Sequence, residues 1–137
     1  MRAFFDSSAL AKRYIDEPGS GEVEGILRRT EELAVSVLCP PEIVSALVRK
    51  LREHLLSPAS VSKAKAAFFH ELEEMAVCPI TPAVVESAIA LIESFPLRTL
   101  DAVQLAGAME WKAEAFVSAD KRQTAAARQA GIRVIEV

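Results

Sequence analysis

The chain is 137 residues long, 51% hydrophobic but only 6% aromatic, and carries a formal net charge of −3. That length suits one domain, residues 1–137, with a core built from Ala, Val, Leu and Ile rather than from rings. There is no uninterrupted apolar run of about 18 residues, which excludes a membrane-spanning helix, and the acidic balance excludes a broadly basic surface that coats nucleic acid.

The N-terminus, "MRAFFDSSALAKRY", lacks the charged region, long apolar run and small-residue cleavage site of a signal peptide. Cytoplasmic residence is the expectation. Arg2–Phe5 has the apolar run of a buried strand, and a helix is expected to start at Ser7. Leu33–Val37 is a second strand, apolar throughout, as a strand covered on both faces would be. Ile43, Leu47, Leu51 and Leu55 then repeat every four residues as one helical stripe. Ser57–Met75 adds a further helix, so two helices precede the third strand at Ala76–Pro79. Val84, Ala88, Leu91 and Ile92 mark another helix, ended at Ser94–Pro96. Leu100, Val103, Ala106 and Met109 mark the next, with Gly107 beside them allowing close packing. Strands at Ala115–Ser118 and Arg133–Val137 enclose a last helix, for which Gly131 is a natural cap. This alternation predicts a three-layer α/β domain with a mostly parallel sheet.

In open α/β sheets, sites form beyond the carboxyl ends of the strands, where loops run into helices. Asp6 follows the first strand, Glu42 the second and Asp120 the fourth. Asp101 lies in the first turn of the helix that feeds the fourth strand, with Thr99 as its expected N-cap. Taken singly, each acid can be no more than a cap that complements the helix dipole. Together they would repel one another and raise each other's pKa unless a cation sits among them. The candidate ligands are all oxygens, with the Ser7 and Ser118 hydroxyls nearby, which suits Mg²⁺ or Mn²⁺ rather than zinc. Such ions activate water and polarise phosphoryl oxygens, so phosphodiester hydrolysis is the natural chemistry.

Rival classes lack their parts. A phosphoacceptor signalling domain needs paired acids near the first strand. A haloacid-dehalogenase-like phosphatase needs a second Asp two residues after its nucleophile, where Ser8 stands. His54 and His70 sit in helical patterns away from the acids. Cys39 and Cys78 fall near the ends of the second and third strands, and reduced thiols are expected in a cytosolic protein. Trp111 and Tyr14 are too few for a base-stacking platform.

Four blocks, "FFDSSALAKRY", "PPEIVSAL", "LRTLDAVQLAGA" and "FVSADKRQTAAARQAG", resemble PIN-domain ribonucleases, specifically the VapC-type toxins of toxin–antitoxin pairs. The resemblance implies a five-stranded sheet of order 3-2-1-4-5 and metal-dependent endonucleolytic cleavage of RNA. It matches Asp6, Glu42, Asp101 and Asp120 to the acidic catalytic positions, and Ser118 to a small hydroxyl residue. Asp6 and Asp101 would hold the main ion, with Asp120 in support and Glu42 orienting or deprotonating the attacking water. Lys121, Arg122 and Gln123 stand where some relatives carry a further acid, so one firmly held ion is expected, with another arriving with the RNA phosphate. Setting four carboxylates aside turns the net −3 into +1, a nearly neutral remainder. Lys12, Arg13, Arg98, Lys121 and Arg122 are the candidate RNA phosphate contacts. The resemblance also implies a cognate antitoxin and a homodimer, with Leu55, Leu56, Val61, Phe68, Phe69 and Leu72 as a candidate partner stripe. Two alternatives stay open: a catalytically inactive PIN-like scaffold that binds RNA or protein, and a housekeeping RNA-processing nuclease.

Overall fold

The computed structural model describes residues 1–137. In chain order the elements are β1 (Arg2–Phe5), α1 (Ser7–Tyr14), α2 (Ser20–Leu27), β2 (Glu32–Ser36), α3 (Cys39–Arg52) and α4 (Pro58–Leu72). They continue with β3 (Ala76–Cys78), α5 (Pro82–Ser94), α6 (Thr99–Glu110), β4 (Ala115–Ser118), α7 (Lys121–Gln129) and β5 (Val134–Glu136). The strands form one sheet in the order β3-β2-β1-β4-β5, and every neighbouring pair is parallel. The expected order is therefore observed, in an all-parallel sheet.

Both faces of the sheet are covered, which explains why the strands are apolar throughout rather than alternating. Ala3, Phe5, Val35 and Val117 point to one side and pack with Leu10, Val23, Ile26, Ile43, Leu47 and Phe68 of α1 to α4. Phe4, Ala34 and Phe116 point to the other and pack with α5, α6 and α7. The Phe4 and Phe116 rings stack at 6.1 Å between centroids, an offset aromatic geometry. Alanines face this second side from all three helices, which lets them approach closely with few rings in the core. Gly107 is part of that approach: a Cβ there would lie 3.3 Å from the Phe4 ring.

Several local expectations need correction. The helix α2 has no counterpart in the apolar pattern, because Gly21 and Gly25 dilute it; only Val23 and Ile26 of its face are buried. Helix α3 stops at Arg52, so Leu55 lies beyond it and is 62% exposed. His54 is outside the helices too, in the turn after α3 with φ +58. In α6 the buried face runs through Ala102, Leu105, Ala106 and Ala108, whereas Leu100 and Met109 are exposed. Small residues carry that helix's burial, and a pattern weighted to large side chains reads the wrong face. The α6 N-cap is Arg98, not Thr99, and it makes no side-chain capping bond. Gly131 meets its expectation: it has φ +84, with Gly131 N donating to Arg128 O and Ile132 N to Ala127 O, the paired bonds of a Schellman motif.

Two glycine substitutions separate packing from propensity. Gly25→Ala, which meets nothing within 4 Å, should stabilise by about 0.5–1 kcal/mol through helix propensity. Gly107→Leu should cost about 1–3 kcal/mol through overpacking against Phe4. Urea unfolding of both variants reads the two signs.

Candidate active site

Asp6 leaves the carboxyl end of β1, the centre of the sheet, where the chain connections run to opposite sides. Its N–H still pairs with Val117 O at 2.9 Å, which anchors the residue to the ladder. Its side chain caps α1, accepting from Ser8 N at 3.3 Å. Glu42 sits in the first turn of α3 behind Pro40 and Pro41, and Asp101 in the first turn of α6. Asp120 caps α7 by accepting from Arg122 N at 2.9 Å and Gln123 N at 3.1 Å. All four carboxylates line one open groove of about 670 Å³, together with Ser7, Ser8, Arg49, Lys50 and Arg98. Asp6 and Asp120 cap their helices, Glu42 and Asp101 lie in first turns without a capping bond, and the fold brings all four helix starts to one edge.

Hydroxyls and amides hold the acids in place. Ser8 Oγ donates to Asp6 Oδ2, and Ser118 Oγ lies 3.0 Å from the same oxygen. Ser7 Oγ donates to Glu42 Oε1 at 3.1 Å. Gln104, fully buried in α6, donates from Nε2 to Glu42 Oε1 and to Ser7 Oγ, and accepts from Ser7 N. Gln123, fully buried in α7, lies against Ser118 and the Asp101 carbonyl. Neither glutamine is flagged by the sequence reading. The signal was available for Gln104, which falls one turn after Asp101 on the same helical face.

Burial is the main reason that the Asp6 carboxyl is held above its usual range; the Asp101 charge adds to this, and the Ser8 and Ser118 bonds oppose it. Burial likewise raises Glu42, with the Asp6 and Asp101 charges in the same direction and the Ser7 and Gln104 bonds against. The acids therefore sense one another. Arg98 Nε bonds to Asp101 Oδ2 at 3.0 Å, and its Nη2 lies 3.7 Å from Asp120 Oδ2. The guanidinium is 74% exposed, so these pairs stabilise little, but they neutralise part of the groove.

The donor chemistry suits a hard divalent cation, since every group is an oxygen and two of the acids are disfavoured as anions. The geometry is looser than the sequence suggests. No three His, Cys, Asp or Glu side chains are disposed to hold an ion together as they stand, and Asp101 and Asp120 are turned to Arg98.

The basic candidates divide. Arg98 is in the groove, while Lys121 and Arg122 are exposed in the first turn of α7. Lys12 is turned away, bonding to Pro18 O and pairing with Glu17 at 3.8 Å. Arg13 is committed elsewhere: it pairs with Glu24 at 2.7 Å and Glu71 at 2.6 Å, and Tyr14 Oη donates to Glu71 at 2.8 Å. Burial alone would raise the Glu71 carboxyl, but the Arg13 and Tyr14 bonds override it and leave it lowered. Arg13 ties α1 to α2 and α4. In its place the groove presents Arg49 and Lys50 of α3. Glu42, Ser45, Ala46 and Arg49 follow helical spacing, so one face of α3 carries both an acid and a cation. Cys39 and Cys78 are free thiols, and burial pushes the Cys39 thiol up to about 12.

An all-parallel α/β sheet with four acids gathered where its strand order turns defines a domain with an acidic groove at its carboxyl edge. A family model described as PIN domain matches residues 3–129, and the chain belongs to the PIN domain family. No curated protein matches it in sequence. Among solved structures, it is similar to a toxin-antitoxin complex from Klebsiella pneumoniae, with TM-score 0.68, 19% identity, and 98% of this chain and 99% of that chain covered. It is similar to VapC20, a sarcin-ricin loop cleaving toxin of Mycobacterium tuberculosis, with TM-score 0.72, 17% identity, and 98% of each chain covered. VapBC2 from Rickettsia felis, bound to a promoter DNA fragment, has TM-score 0.70 and 9% identity, with 100% of this chain and 99% of that chain covered. At these identities the likeness is one of fold.

The buried acids predict an inverted pH dependence. Folding holds the Asp6 and Glu42 pKa values above the unfolded ones, so folding favours their protonated forms. That stability is complete below the unfolded carboxylate range and is lost as pH rises through the raised values. Asp6→Asn keeps a capping oxygen but removes the charge, so without metal it should raise Tm at pH 7 by several degrees, with the gain vanishing towards pH 4. Thermal melts across that range check it.

Proposed function

We propose that this protein is a metal-dependent endoribonuclease that hydrolyses RNA phosphodiester bonds, the toxin of a VapBC-type toxin–antitoxin pair in the cytoplasm. The observation that carries this reading is the shared groove of Asp6, Glu42, Asp101 and Asp120, whose mutual repulsion a divalent cation would relieve. Family membership supports it, as do the toxins among the proteins of like fold. The absence of a membrane-crossing helix is consistent with the location.

Asp6 and Asp101 would hold Mg²⁺ or Mn²⁺, with Asp120 supporting directly or through water. When bound, the ion supplies a Lewis acid for the phosphoryl oxygen and lowers the pKa of water. Glu42 is the base: its Oε1 is pinned by Ser7 and Gln104, which leaves Oε2 to accept a proton from the attacking water. Its raised pKa brings it closer to working pH, as general-base catalysis favours. Arg98, Arg49 and Lys50 flank the acids and would hold the RNA phosphates, with Lys121 and Arg122 beyond them. Arg98 has to leave Asp101 when a cation arrives, which frees its guanidinium for a phosphate. Cation and RNA binding are coupled through that exchange.

For partners, Val85, Ile89 and Ile92 lie exposed at helical spacing on α5, and we assign this stripe to a second copy of the chain. The antitoxin takes the hollow of about 550 Å³ around Leu51, Leu55, Leu56 and Pro58. Of the stripe expected there, Phe68 is buried in the core and Leu56, Val61 and Leu72 are half-buried against it, leaving Leu55 and Phe69 outward.

Cleavage of structured tRNA and rRNA with Mn²⁺ tests the roles. Glu42→Gln should lower kcat by about 10²–10⁴-fold while keeping Mn²⁺ binding, whereas Asp101→Asn should lose both. Arg49→Ala should weaken RNA binding and reduce the salt slope by about 1; Arg13→Ala should lower Tm and leave RNA binding unchanged. No cleavage by the wild type across these RNAs would favour a binding scaffold. Ile89→Asp should give a monomer by light scattering if α5 is the homodimer face.

A further inference from the structure

Behind the acids lies one residue for which the nuclease reading gives no role. Gln123, in the first turn of α7, is fully buried although it carries an amide. Each of its polar groups serves a different wall of the groove. Its backbone N–H donates to Asp120 Oδ1 at 3.1 Å. Nε2 donates to the backbone carbonyl of Asp101 at 3.0 Å. Oε1 lies 3.1 Å from Ser118 Oγ, and Ser118 Oγ is in turn 3.0 Å from Asp6 Oδ2. The amide has one workable orientation, because reversing it would set Oε1 against the Asp101 carbonyl, acceptor to acceptor.

We propose that Gln123 is a positioning residue whose amide fixes the register of Asp6 and Asp101 beside Asp120, which its backbone N–H holds, so that one cation can be shared among the three once Arg98 has left Asp101 and Asp120. The inference rests on the nuclease reading and deepens it. The three acids come from separate elements: the end of β1, the start of α6 and the start of α7. The neighbouring core contacts of α6 and α7 are largely alanines, which pack well but fix neither rotation nor slide. A leucine would fill the Gln123 site at similar volume, so packing alone gives no reason for an amide there. Buried, fully satisfied polar networks fix geometry where apolar packing tolerates several arrangements.

The Ser118 hydroxyl adds a second role. It has one proton, and its two nearest acceptors are Asp6 Oδ2 and Gln123 Oε1, with Ser8 Oγ farther off at 3.4 Å. Were Asp6 to turn to a cation, Gln123 Oε1 would accept the hydrogen bond that Ser118 Oγ donates. The buried Ser118 hydroxyl would then stay satisfied in both states, while the Ser8 bonds continue to hold Asp6.

The test compares wild type, Gln123→Leu and Gln123→Met. Mn²⁺ affinity is read by electron paramagnetic resonance, cleavage as separate kcat and KM, and the carboxyl ¹³C shifts of Asp6, Asp101 and Asp120 in metal-free protein. Both variants should stay folded and bind Mn²⁺ about 10–100-fold more weakly, the usual effect of losing a partner behind a metal ligand. kcat should fall with the affinity while KM for RNA holds. The Asp6 and Asp101 ¹³C signals should move before any metal is added. Ser118→Ala should cost much less in the Gln123→Leu background than alone, because the two share one network. Unchanged Mn²⁺ affinity and unmoved carboxyl signals in a folded variant would overturn the inference, whatever happens to Tm. If wild type itself takes up no Mn²⁺, the nuclease reading fails instead, and the metal-free carboxyl signals alone decide whether Gln123 sets the register. Should one variant fail to fold, the other carries the comparison.

Discussion

The constraint on which the structure depends is the burial of a carboxylate, Asp6, at the end of the central strand. It is only 4% exposed, Asp101 disfavours its charge further, and Asp6 in turn disfavours the charge of Glu42. A buried acid of this kind has to be hydrogen-bonded, neutralised or matched with a cation. This chain uses partial measures of each kind. Ser8 and Ser118 bond to Asp6, Ser7 and Gln104 bond to Glu42, and Arg98 lies across Asp101 and Asp120. No buried side-chain polar atom is left without a partner. The groove is thus satisfied hydrogen bond by hydrogen bond and still short of positive charge.

The all-parallel sheet explains why the acids meet. The first four strands each run into a helix at the same edge, α6 starts there after α5, and a first-turn acid is favoured at such helix starts by the free N–H groups and the helix dipole. Asp6 and Asp120 both make real capping bonds. The local preference and the proposed chemistry therefore use the same side chains, and the caps supply rigidity that the chemistry needs. A carboxylate tethered by its own helix has few rotamers left, so the charge stays aimed at the groove.

The sequence carried the strand set, the sheet order through its family resemblance, and the four acids, because these follow from apolar runs and helix starts. It was less informative where burial is achieved by small residues. Helix α6 packs through Ala102, Ala106 and Ala108, so its inward face does not stand out in a hydrophobic pattern, and α2 is hidden by its two glycines. The cations show a different limit. Adjacency to an acidic block in the chain suggested Lys12 and Arg13, but α1 turns both away, to Pro18 and Glu17 and to Glu24 and Glu71. Arg49 reaches the groove because it is seven residues after Glu42, on the same face of α3. Gln123 was invisible for a third reason: a polar residue inside a core reads as surface until its partners are known.

The most direct measurement is anomalous diffraction from crystals soaked with Mn²⁺. One strong peak should appear between Asp6 and Asp101, within reach of Asp120, with the Arg98 guanidinium swung out of the groove. A protein that takes up Mn²⁺ only at scattered surface acids, with Arg98 still seated on Asp101, would contradict the idea that these carboxylates are held together for a cation.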